Sequence, residues 1–270
     1  MCVIVGFMLS LQSYFYYFSM KKLVLAIWIL TFSINPLFSQ HFGGMWIPTE
    51  VNYQEMSELG KNFPDSIIFN TSIPSLEDAV VRFNGGCTAA LISAHGLLLT
   101  NHHCGYSQIQ AHSTLENNLL ADGFWAKSFE DELPNPNVSV DFIVDIEDVT
   151  PIILTGTREL TEEEAQKVIL DNIKKYKAET KVADYQSISI LPFYAGNKYY
   201  AFTVETFRDI RLVGAPPQSI GKFGSDTDNW VFPRHTGDFS LFRIYADKNN
   251  HSAEYSPDNQ QNDCFYRHRF

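Results

Sequence analysis

The sequence predicts a mainly β fold carrying one long surface helix. Short runs of apolar and β-branched residues recur between turn signals, at Val80–Phe83, Thr88–Ser93 and Leu97–Thr100. The stretch Ser187–Val213 returns to the same character, and only Thr157–Thr180 sustains helical spacing. With 270 residues, 45% of them hydrophobic, the chain can bury a sizeable core and is too apolar for disorder. That length suits one large domain or two small ones.

The N-terminus carries an address. Met20-Lys21-Lys22 forms a basic segment, Leu23–Ile34 an apolar one, and Ser39 supplies a small residue for cleavage. This is the pattern of a secretory signal peptide. The apolar core is shorter than the roughly 20 residues of a spanning helix, although an uncleaved membrane anchor is the alternative. Met20 is then the expected start, with residues 1–19 an upstream extension and 1–39 lying outside the folded domain. A glycine-rich loop follows at 41–50, then a short helical or irregular segment at 49–63.

The first strands come next. Ser93–Gly96 reads as a tight turn with a glycine where positive φ is easy. Leu97–Thr100 reads as a buried strand, and His102 and His103 as a loop just past its end. In the long helix, Thr161 and Glu164 make a capping box. Ala165, Val168, Ile169, Ile173 and Tyr176 share one face, and Lys167, Asp171, Lys174 and Lys175 the other. Gly196-Asn197 signals a hairpin. A long loop rich in Gly, Pro and Asp precedes a final strand in "DFSLFRIYAD", 238–247.

The formal net charge of -11 and the lack of a long basic cluster argue against nucleic-acid binding. Four cysteines are present. Export would permit a disulfide, with Cys87 and Cys104 the natural pair and Cys264 left over.

The stretch "LTNHHCGY", 99–106, concentrates chemistry-bearing residues. Three readings compete. His95, His102, His103, Cys104 and His112 could ligate a metal, but adjacent histidines diverge in extended backbone and no CxxC or HExxH spacing occurs. A packed structural turn is the second reading. The third is the general base of a serine peptidase, which needs a carboxylate to orient its imidazole. Asp238, opening an apolar strand, is the candidate carboxylate, with Asp226 and Asp228 as alternatives in the preceding loop.

The segment "GGCTAALIS…LLLTNHHC" resembles chymotrypsin-like proteases, where a cysteine after the catalytic histidine bridges to the preceding strand. Together with "GMW", "DGFWA", "RLVGAPPQSIGKFG" and "DTDNWVFPRHTGDFSLFR", it resembles the bacterial dipeptidyl-peptidase 7 and dipeptidyl-peptidase 11 family, from about Gly44 to about Asn259. The resemblance implies a trypsin-like double β-barrel, here the first barrel and the start of the second, within residues 40–259. It implies His103 as general base, Asp238 as its partner, and a Cys87–Cys104 disulfide. Asn229 and Trp230 would hold the free α-amino group of an oligopeptide substrate. It implies no metal and no cofactor, a homodimer, and a place in the periplasm or on the outer surface of a bacterium.

Three departures from the family stand out. Its nucleophilic serine lies in a Gly-x-Ser-Gly context, and no such context occurs in these 270 residues; after Asp238 the serines are Ser240, Ser252 and Ser256. Residues 260–270 lose the resemblance, as a frameshifted or truncated tail would. Ser225 stands where the family leads one to expect glycine. These residues alone are therefore expected to be inactive; the competing expectation is a non-catalytic remnant that binds peptide N-termini.

Overall fold

The computed structural model describes residues 46–70, 72–228 and 230–256. The expected signal segment, residues 1–39, the tail 260–270, Cys2, Cys264 and Asn229 lie outside the described residues. Two compact units divide the chain: one takes in Asn52–Lys61, the other Ile47–Val51 and the residues from Asn62 onward. In the first, helix α1 (Tyr53–Glu58) is capped by the Asn52 side chain, which accepts the Glu55 N–H at 3.1 Å.

The second unit is built on one antiparallel sheet. Its strands are β1 (Val80–Phe83), β2 (Cys87–Leu91), β3 (Leu97–Thr100), β4 (Phe124–Trp125), β5 (Leu133–Pro134), β6 (Val140–Asp148), β7 (Gln186–Phe193), β8 (Lys198–Phe207), β9 (Ile210–Ala215) and β10 (Ser240–Ile244). Their order is β4-β9-β10-β3-β2-β1-β6-β8-β7, with β5 also paired to β9. The helices of this unit are α2 (His102–Ala111), α3 (Leu119–Asp122), α4 (Thr150–Ile153), α5 (Glu162–Glu179) and α6 (Gln218–Gly221). None of the described helices is long and apolar enough to cross a membrane.

The mainly β fold expected from the sequence is the one observed. The β2–β3 turn has Gly96 at φ 76°, and Ser93 Oγ accepts the N–H groups of His95 and Leu97 at 3.2 and 3.1 Å. The β7–β8 hairpin closes through Tyr194–Gly196, with Phe193 paired to Lys198. Helix α5 carries the Thr161–Glu164 capping box, and its buried Ile169 packs with Val149, Ile153, Ile190 and Tyr199. The main core gathers Phe83, Leu98, Ile109, Val140, Ile210, Leu212 and Phe242. Each such side chain, taken fully out of water, contributes about 1.5–3 kcal/mol.

Three details differ from the sequence expectation. His102 and His103 lie in the first turn of α2, not in a loop, because tertiary contacts supply the cap and close packing that the local sequence lacks. Strand β3 is not buried throughout: Leu98 and Thr100 face inward while Leu99 is 38% exposed, since successive side chains alternate across a sheet. The nine-residue β6 was not expected, and it is a central strand between β1 and β8.

Candidate active site

The register of the sheet assembles the site. Ser240 of β10 pairs with Thr100 of β3, antiparallel. Residues just after Thr100 therefore face residues just before Ser240, which brings Asp238 to His103 across 135 positions of sequence.

Asn101 is the N-cap of α2, yet its side chain makes no capping bond. It reaches Asp238 instead, donating from Nδ2 to the backbone oxygen at 3.2 Å and to Oδ2 at 3.3 Å. The orphan N–H of His103 is satisfied by Asp238 Oδ1 at 3.1 Å. The His103 ring lies on the same carboxylate, with Nδ1 2.8 Å from Oδ2. One carboxylate thus caps a helix and holds an imidazole. An ionised carboxylate only accepts, so Nδ1 carries a proton, and whenever the ring is neutral its lone pair is on Nε2. The His103 side chain is 60% exposed and that of Asp238 17%. The basic nitrogen of the pair is therefore accessible while its carboxylate is shielded.

Burial pushes the Asp238 carboxyl upward, but the backbone and ring hydrogen bonds and the charge of His103 outweigh it and hold the group below its usual range. His102 behaves otherwise. Its ring is wholly buried, and burial lowers its basicity.

The Cys87–Cys104 disulfide fixes the other side of the helix start, tying β2 to the residue after His103. Gly105, on the next position, lets α2 press against β10: a Cβ there would stand 2.6 Å from Ser240 Oγ. Ser240 Oγ in turn donates to the Asn101 carbonyl at 2.9 Å.

Of the other residues singled out, Cys104 is in the disulfide and so offers no thiolate, and His112 Nε2 meets Asn135 Oδ1 at 3.2 Å. Asp238, and not Asp226 or Asp228, meets His103. Trp230 lies in the 216–239 loop and is 91% exposed, so it is not a core aromatic. Ser225 adopts φ 44°, a conformation that favours glycine. The role of Asp238 as helix cap was not legible in the sequence, because the cap comes from a residue far along the chain.

An antiparallel β frame thus presents a histidine on a shielded carboxylate, braced by a disulfide, an arrangement that can orient an imidazole as a base. The family profile described as Peptidase S46 matches residues 43–263, and the chain belongs to that family. The Asp/Glu-specific dipeptidyl-peptidase of Capnocytophaga gingivalis is 56% identical over 234 residues, 85% of this chain and 33% of its own. Dipeptidyl-peptidase 7 of the same organism is 41% identical over 244 residues, 89% of this chain and 34% of its own. The crystal structure of Porphyromonas endodontalis DPP11 in complex with the dipeptide Arg-Glu matches with a TM-score of 0.69 at 48% identity, covering 81% of this chain and 32% of that one. The chain spans about a third of the length of the curated relatives it matches.

Proposed function

We propose that these residues form the histidine–aspartate part of a serine dipeptidyl-peptidase, which releases dipeptides from the free N-termini of oligopeptides. The observation that carries this reading is the shielded Asp238 carboxylate holding Nδ1 of His103 and leaving Nε2 as the exposed base. In the proposed reaction Nε2 takes the proton of a serine hydroxyl as it attacks the scissile carbonyl, then returns it to the leaving amine. Asp238 holds the tautomer and steadies the imidazolium. Asn229 and Trp230 receive the substrate ammonium: an amide oxygen accepts its protons and an indole face attracts its charge. The serine belongs to a Gly-x-Ser-Gly context absent from these 270 residues, so the residues alone bring no nucleophile. Export to the periplasm or outer surface is supported by the signal pattern at Met20–Ser39 and by the disulfide, which persists in oxidising compartments.

The test is a fusion of these residues to the C-terminal remainder of the 56%-identical relative. The fused chain should cleave a dipeptidyl reporter, the 270-residue chain should not, and Asp238→Asn should lower kcat of the fusion by about 10⁴-fold. An inactive fusion beside an active full-length relative, or a fully active Asp238→Asn fusion, would overturn the reading.

A further inference from the structure

The residue next to the pair has no place in the reaction just described, yet it is fully buried. His102 is 0% exposed, and neither ring nitrogen has a hydrogen-bond partner among the described residues. Buried polar rings usually make hydrogen bonds, so the packing around this one bears on its role. The ring lies against Gly221 so closely that a Cβ there would collide with it. Gly221 ends the short helix α6. The carbonyls of that turn hold the residues just before Asp238. Ile220 O accepts the Gly237 N–H at 3.0 Å, and Thr236 Oγ1 donates to Ile220 O and Gly221 O at 3.1 and 3.2 Å. Gly237 is itself pressed on the turn: a Cβ would stand 2.7 Å from Ile220 Cγ2.

A continuous path therefore runs from the His102 ring through Gly221 and Ile220 to Thr236, Gly237 and Asp238. We propose that His102 is the positioning residue of the His103–Asp238 pair, its ring acting as a wedge that seats the Gln218–Gly221 turn and thereby sets where the Asp238 carboxylate stands. The wedge works uncharged. Burial disfavours the charged ring, and His103 and Lys222 add to that. The Asp238 carboxylate and the Pro216 backbone pull the other way. Adjacent histidines thus divide the work: His102 seats the turn that places the carboxylate, and His103 bonds to it.

This inference rests on His103 and Asp238 being the working pair, and the test separates the two. A proton held in a short charge-assisted bond between an imidazole nitrogen and a carboxylate gives a separate low-field NMR signal. The 270-residue chain should give that signal for His103 Nδ1, and Asp238→Asn should abolish it. A missing signal in the wild type, or one that survives Asp238→Asn, overturns the pair itself. With the pair established, His102→Ala and Thr236→Val should each lose the signal while the chain keeps its folded circular dichroism. Thr236→Val removes two of the three ties to the turn and leaves His102 in place, so it decides the matter should His102→Ala not fold. A filler role alone would lower the melting temperature and leave the signal. Persistence of the signal in either folded variant overturns the wedge.

Discussion

Asp238 meets His103 twice, once at the backbone and once at the ring, and the two contacts have separable consequences. Asp238→Ala should destabilise the chain by about 0.5–2 kcal/mol, the range for losing a helix N-cap. The pH dependence follows from the lowered carboxyl. A carboxyl that ionises more readily folded than unfolded stabilises the fold above the unfolded value, about 3.9, and loses that effect as pH falls through its own lower value. The gap in melting temperature between wild type and Asp238→Asn should therefore be full above about pH 4 and close below it; a gap constant down to strong acid would contradict the assignment. The pairing could not be derived from spacing, since 135 residues separate the partners. Likeness to a known motif named His103 and Asp238, and the β3–β10 register is the physical reason they meet. His102 stayed a mere neighbour at sequence level, because its buried position depends on Gly221, more than a hundred residues away.

At the scale of elements, α2 is the instructive case. Its sequence, HHCGYSQIQA, buries only His102, Gly105 and Ile109, too sparse a pattern to announce a helix. The helix is held from outside, by the Asp238 cap, by Gly105 against Ser240 and by the disulfide. Closing a loop of 17 residues, the disulfide should contribute about 3 kcal/mol. Cys104→Ser should lower the urea midpoint accordingly, and an unchanged midpoint would mean that the helix start needs no brace. Strand β6 escaped notice for a different reason: its register shifts between Ile143 and Asp145, which breaks the period of two. The capped helix α5 and the β7–β8 hairpin were legible because their signals are local. Next to the site, β10 anchors Arg243 on the buried Glu132, Nε to Oε1 at 2.8 Å, while Tyr245 donates to Oε2 at 2.7 Å. Arg243→Met would strand that carboxylate and should cost about 3–5 kcal/mol in chemical denaturation. In the loop before Trp230, Ser225→Gly should raise stability by up to about 1 kcal/mol, because the left-handed backbone there penalises a side chain.

For the molecule as a whole, the mainly β fold class followed from strand-like runs of sequence. Signal cleavage is tested by N-terminal sequencing, which should begin at Gln40; a chain still starting at Met1 or Met20 would refute the cleavage. One feature of the fold has an optical consequence. Trp230 is 91% exposed, whereas the other described tryptophans, Trp46 and Trp125, are 46% and 47% exposed. Indole emission shifts toward the blue as water leaves the ring, so Trp230 is the described residue with the largest shift available. Any molecule that settles on the 216–239 loop should announce itself in the fluorescence spectrum, with no label attached, and Trp230→Phe should silence that report.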